Sequence, residues 1–215
     1  MKKLSVAGTK GLLTHISEQM IEKESYLCEL DGKIGDGDHG IGIARGFRSV
    51  LIELENEHTN VKDVFTNAGM AMMNSMGGAS GIIFSAMFLG AMKEDADVQL
   101  TVTNLKKYLT NGLERIKQKG GAKLGDKTMI DAFEPAVDAL NAYEGDSLIT
   151  AFRLMQQEAE TGAEKTKDYV AAFGRAKFLG ERSLGFCDAG AVSVSLIFMY
   201  GNDYLCQLNG AMLNE

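Results

Sequence analysis

Asp31, Asp36 and Asp38 share the eleven-residue stretch from Leu30 to Gly40 with four glycines and His39. At about 4 Å and an effective dielectric near 20, each carboxylate pair repels by roughly 4 kcal/mol, so three together call for a hard cation or a change of protonation. Glycine lets the backbone approach a ligand closely and adopt positive φ, and Mg²⁺ takes a few carboxylates together with substrate phosphates. Metal-bound phosphate is therefore the chemistry this loop suggests, against the plain alternative of a solvated Asp/Gly turn. Two rival motifs fail. Gly35-x-Gly37-x-x-Gly40 has the dinucleotide-binding spacing but follows a segment of helical period where a strand is required. An EF-hand needs a Glu eleven residues after its first Asp, and those positions are Gly42 and Phe47.

Three further loops combine glycine with phosphate-type donors. Met76-Gly77-Gly78-Ala79-Ser80-Gly81 lies where a helical pattern ends and an apolar one begins, so its amides could form an anion site at a helix N-terminus. The alternative is an interhelical turn with Ser80 as N-cap. Gly120 to Thr128 nearly spells a Walker A loop, but Asp126 is an extra residue before Lys127-Thr128 and a helix precedes it. Lys123, Lys127 and Thr128 could still meet phosphate or form a solvated helix start. Gly174 to Gly185 adds Arg175 and Arg182 and runs into Asp188-Ala189-Gly190. Arginine is the usual bidentate partner of phosphate, and also a common surface residue.

The elements that must position these loops read as helices. A single proline in 215 residues argues against a sheet protein. Apolar residues recur at helical spacing in Leu13, Ile16, Met20 and Leu27; in Ile43, Phe47, Val50 and Leu54; and in Val61, Val64, Phe65, Ala68 and Met72. The pattern continues in Val102, Leu105, Leu109, Leu113 and Ile116, then in Met129, Ile130, Phe133, Val137 and Leu140 around Pro135, which should kink its helix. Similar patterns run from Leu148 to Ala159, Tyr169 to Ala176 and Ala191 to Leu205. Ile82 to Met92 is apolar nearly all round, as in a helix packed on several sides, and is too short to span a bilayer. The twelve methionines read as core filler, with an apolar ligand inside a helical bundle as the alternative. One domain over residues 1–215 is expected, with no linker, no export signal and no membrane span. Cys28, Cys187 and Cys206 form no CxxC pair, which suits a reducing cytoplasm and argues against structural zinc. The net charge of −7 is dispersed and argues against nucleic acid as a partner.

In order, Gly-Asp-Gly-Asp-His-Gly, Gly-Gly-Ala-Ser-Gly, Gly-Asp-Lys-Thr-Met-x-Asp and Gly-Arg-Ala-x-x-Leu-Gly-Glu-Arg-Ser-x-Gly resemble the nucleotide-binding L subunit of dihydroxyacetone kinase over about residues 10–207. The resemblance implies an all-α barrel of eight antiparallel helices with Mg-nucleotide in the loops at one end. It implies that Asp31, Asp36 and Asp38 hold Mg²⁺, two ions in number, and that His39, Ser80 and the Gly77-Gly78-Ala79 backbone lie beside the phosphates. Thr128 and Met129 would border the nucleotide, and Arg175, Asp188 and Gly190 would close the site. The catalytic set so implied is Asp31, Asp36, Asp38, His39 and Arg175. His15 and His58 read as surface or packing residues.

In this family a separate K subunit holds the ketose. In the phosphotransferase-linked branch, ADP stays bound and is rephosphorylated by a phosphohistidine protein; His39 matches that branch better than the ATP-dependent one. The expected partners are thus a K-type subunit and a phosphohistidine protein, with a homodimer left open. Two departures stand out: Gly42 replaces the usual Asn, and Phe186-Cys187-Asp188-Ala189-Gly190 replaces His-x-Asp-Pro-Gly. The alternatives are an ATP-dependent ketose kinase subunit and a non-catalytic nucleotide- or lipid-binding regulatory protein. The intact aspartate set favours a kinase over the latter.

Overall fold

The computed structural model describes residues 1–213, with the side chains of Ala79, Met212 and Leu213 outside the description; Asn214 and Glu215, the end of the expected domain, also lie outside the described residues. The expected all-α class holds. The helices are α1 (Val6–Glu22), α2 (Glu24–Asp31), α3 (His39–Leu54), α4 (Val61–Met76), α5 (Gly78–Leu89), α6 (Val102–Gly120), α7 (Ile130–Ala142), α8 (Leu148–Lys165) and α9 (Ala189–Leu213). α1 packs on α3, each later helix packs on its successor, and α9 returns to α1, so the helices form a closed circuit around the core. Every apolar stripe read from the sequence for α1 to α4, α6 and α7 is buried in that core. Periodicity had no means of showing the one small sheet, in which β1 (Lys3–Ser5) pairs antiparallel with β2 (Gln99–Thr101), Leu4 opposite Leu100.

Three local differences from expectation have physical causes. The first helical pattern is broken at Lys23 (φ −85°, ψ 4°). The break lets α2 lie across the start of α3, where a side chain at Gly40 would strike the Glu24 carbonyl at 2.0 Å. Helix α7 continues through Pro135; the Asp131 carbonyl that a proline ring cannot bond faces Gly162 of α8, where a Cβ would lie 2.0 Å from it. Tyr169 to Ala176 is not a helix: the chain there is irregular, followed by a 3-10 segment from Ala176 to Ser183. Its apolar spacing reflects Ala171, which is buried, while Val170 and Phe173 stay exposed.

The helix starts differ in how they are capped. Ser5, Asn60, Thr101 and Ser147 cap α1, α4, α6 and α8 with their own side chains, and Thr101 completes a capping box with Asn104. Asp38 and Gly77, the N-cap residues of α3 and α5, make no such bond. Those two helices therefore keep first-turn N–H groups available to another acceptor.

Candidate functional site

Asp31 ends α2 and Asp38 precedes α3, and the turn between them folds the three carboxylates together. Ligand oxygens of Asp31, Asp36 and Asp38 lie within 4.8 Å of one another. Gly37, at φ 77°, donates its N–H to Asp31 Oδ2 at 2.8 Å. At Gly35 a Cβ would sit 2.3 Å from Asp31 Oδ1, so no other residue leaves that carboxylate where it is. Mg²⁺ binds oxygens at about 2.0–2.1 Å, so ligands of one ion stand no more than about 4.2 Å apart. Three hard oxygen donors, close to that reach and partly solvent-exposed, fit the ion in type and placement.

His39 opens α3 directly behind this cluster. Its Nε2 lies 2.8 Å from Ser193 Oγ on α9, and its ring lies 5.7 Å from that of Phe84 on α5. Burial pulls the imidazole pKa down, opposed by the charges of Asp31 and Asp38. Ser80 is four residues before Phe84 and thus on the same face of α5. Gly77 and Gly78 enter that helix at φ 70° and 61°, a left-handed path open to glycine. Ser80 is not the N-cap: Gly77 is, and Ser80 sits exposed in the first turn beside the uncapped N–H groups.

Met129 and Gly190 connect the other half of the site. A Cβ on Gly190 would lie 3.4 Å from Met129 Cβ, which puts the start of α9 against the start of α7. Met129 is buried and Thr128 half-buried. Asp131 turns back to accept N–H groups from Gly125 at 2.6 Å and Thr128 at 2.7 Å, fixing the loop; burial raises its pKa. Asp188 caps α9 by accepting the Ala191 N–H at 2.7 Å. Desolvation pushes its pKa up to about 7, with the Asp131 and Asp31 charges adding to the rise. Arg175 reaches across from the irregular segment, its Nε 2.6 Å from Asp36 Oδ2. The start of α3 thus meets α9 through His39 and Ser193, and the start of α9 meets that of α7 through Gly190 and Met129; helix N-termini carry partial positive charge that favours an anion.

Of the residues singled out from the sequence, Asp31, Asp36 and Asp38 meet one another, Arg175 reaches Asp36, and His39 follows Asp38 directly, while Lys127 lies elsewhere. Lys127 is neither a phosphate donor nor part of a solvated helix start: it is 2% exposed, and its Nζ donates to the Thr166 and Phe186 carbonyls. Ser193, Phe84 and Asp131 carried no assigned role. Ser193 left one weak signal, a serine five residues after Asp188 in the mostly apolar first half of α9, which Ser195 shares, and Asp131 lay within a quoted motif. The structure accommodates Gly42 and Ala189, and gives no reason for Phe186. A Cβ at Gly42 would meet open space. Ala189 occupies the first helical position, where proline is favoured because its N–H is dispensable but alanine is also well suited.

The DAK2 domain family matches residues 33–200. Among curated relatives, the PEP-dependent dihydroxyacetone kinase 1, ADP-binding subunit DhaL, of Listeria innocua is 40% identical over 86% of this chain and 90% of its own. The PEP-dependent dihydroxyacetone kinase, ADP-binding subunit DhaL, of Escherichia coli is 36% identical over 85% and 89%. L-erythrulose 1-kinase of Mycolicibacterium smegmatis is 33% identical over 91% of this chain but only 35% of its own length. Among solved structures, the dihydroxyacetone kinase from C. freundii in complex with AMP-PNP and Mg²⁺ superposes with a TM-score of 0.71 at 29% identity, covering 92% of this chain and 34% of that one.

Proposed function

Because the chain belongs to the DAK2-domain family, we propose that it is the ADP-binding, phosphoryl-transferring subunit of a dihydroxyacetone-type kinase. Bound Mg-ADP acts as a coenzyme: a phosphohistidine protein rephosphorylates it, and the phosphoryl group passes to a small ketose held on a separate substrate-binding subunit. The observation that carries this reading is the convergence of the Asp31, Asp36 and Asp38 oxygens within 4.8 Å beside helix N-termini left without side-chain caps.

Each part has a chemical task. Asp31, Asp36 and Asp38 hold Mg²⁺, two ions by this reading, which would neutralise charge on the terminal phosphates. The Gly77, Gly78 and Ala79 backbone and the Ser80 hydroxyl meet phosphate oxygens. Thr128, Met129 and Gly190 border the nucleotide, and Asp188 closes that side. Arg175, now paired with Asp36, is placed to donate to the group in transit. His39, whose imidazole pKa burial lowers, lies beside the phosphates. Positioning and electrostatic stabilisation dominate phosphoryl transfer, so no general base is required of this chain.

Two observations support the separate substrate subunit and the donor. The chain spans about a third of the one-chain kinases it matches, while relatives of its own length are named as PEP-dependent subunits. The experiment is chromatography of the supernatant after denaturing the purified protein. Retained ADP that exchanges slowly with added ATP is expected. Absence of nucleotide together with fast ATP exchange would overturn the coenzyme reading.

A further inference from the structure

The chain leaves α8 at its 3-10 end, makes an excursion over residues 167–185, and returns to α9. The neck of that loop is closed by the Gly185 N–H donating to the Lys167 carbonyl at 2.8 Å. Just outside the neck, one ammonium takes both strands: Lys127 Nζ donates to Thr166 O and to Phe186 O, each at 2.5 Å. Inside the loop, Ser183 Oγ accepts the Ala171 N–H at 3.0 Å and donates to Gly180 O at 2.6 Å. The neighbouring Ala172 N–H donates to Asp126 O at 3.1 Å, so the loop is also tied to the residue before Lys127. At its far side the loop delivers Arg175 to Asp36.

Lys127 itself is held in an unusual state. It is the one non-glycine residue with positive φ, 60°, among the described residues, and such a backbone persists only where its surroundings over-determine it. Its side chain is buried, and burial works against its charge, lowering the pKa. A methionine would fill similar space without that cost. What the ammonium adds is its grip on two carbonyls that belong to the two feet of one loop.

We infer that Lys127 is a positioning residue: it fastens both feet of the 167–185 loop and thereby sets Arg175 over the acidic cluster. It touches neither nucleotide nor transferred group. For its effect on turnover the inference rests on the kinase reading above; for its effect on the loop it does not.

The test uses the full chain with Lys127→Met, and Lys127→Gln as the milder variant, which keeps an amide NH2 donor group without the charge and carries the test should the methionine variant fail to fold by circular dichroism. Arg175, Lys177 and Arg182 are exposed trypsin sites within the loop, and cleavage there follows the population of the open loop, so cutting about tenfold faster than in wild type is expected for Met and an intermediate rate for Gln. With the substrate-binding subunit and donor present, turnover should fall by about 10- to 100-fold, the scale of an ångström-sized misplacement, while nucleotide affinity changes less. In an Arg175→Ala background the same substitution should lower turnover no further. Wild-type cleavage in a folded variant overturns the fastening. Faster cleavage with an undiminished loss of turnover in the Arg175→Ala background overturns action through Arg175. A wild-type complex without turnover rejects the kinase reading instead, and the cleavage rates alone then decide for or against the fastening.

Discussion

His39 Nε2 and Ser193 Oγ stand 2.8 Å apart, and the Ser193 hydroxyl is 3.0 Å from the Ala189 carbonyl, an acceptor for its proton. The hydroxyl has a single proton: with it on the Ala189 carbonyl, His39 Nε2 is the donor and Nδ1 the unprotonated acceptor of the neutral ring, the tautomer this account assigns. The lowered imidazole pKa agrees with that neutral state. An α9 residue thus bears on the tautomer of an α3 residue.

Ser193→Ala should therefore reduce turnover, since a buried N–H left without its acceptor costs about 1–3 kcal/mol and the ring will turn to avoid it. A drop of about 5- to 150-fold in kcat is expected, with KM for nucleotide changing less and Ser193→Thr restoring part of the loss. Steady-state kinetics of the three proteins checks this. An unchanged kcat in Ser193→Ala would show that His39 owes its orientation to other contacts.

Asp188 gives a pH prediction of definite sign. Its folded pKa, about 7, lies above the ordinary carboxylate value of 3.8, so the folded chain binds this proton more tightly than the unfolded chain. The stability it contributes is complete below about pH 4 and is lost as pH rises through 7. Asp188→Asn keeps an acceptor for the Ala191 N–H and removes the buried charge. In the absence of Mg²⁺ and nucleotide, the variant should gain on wild type between pH 5 and 8, by on the order of 2–4 kcal/mol. Urea unfolding across that range measures the difference; a gap independent of pH would contradict it.

The acidic cluster gives a prediction about binding rather than folding. Asp36 and Asp38 are exposed loop residues, and the Asp36–Arg175 pair, exposed by 34% and 72% at its two side chains, adds at most about 1 kcal/mol to stability. Asp36→Ala and Asp38→Ala should keep their helical circular dichroism. Calorimetric titration with ADP should show the Mg²⁺-dependent part of affinity falling by roughly 10- to 100-fold, the scale of a lost charge-assisted contact. Unchanged affinity in both variants would remove the metal assignment.

Which parts of this were legible in the sequence follows from range. Helical periodicity is local, and the stripes from Leu13 in α1 to Leu140 in α7 were readable because each helix buries one face. The acidic loop was readable because Asp31, Asp36 and Asp38 meet across a short turn. Ser193 and His39 are 154 residues apart, and nothing in either neighbourhood announces the contact. Lys127 was misread for a different reason. A lysine beside glycines and a threonine has the composition of a phosphate loop, and only the fold shows its stem turned inward, onto carbonyls 39 and 59 residues further on. The break at Lys23 was hidden because the apolar spacing runs on through it, while the packing of α2 on Gly40 that it serves is tertiary.

The central claim is that this chain supplies a phosphoryl group to a ketose that another subunit holds. It is tested most directly by a coupled assay in which dihydroxyacetone or a related ketose, a K-type substrate-binding subunit, a phosphohistidine donor, Mg²⁺ and this chain are combined and each is omitted in turn. Transfer requires the sugar hydroxyl to be held in line with the phosphoryl group, the task this account gives to the other subunit. Sugar phosphate is expected with all components present and lost on omission of the K-type subunit or of the donor. Sustained turnover by this chain with ATP and free ketose alone would contradict the account and make it a complete kinase in its own right.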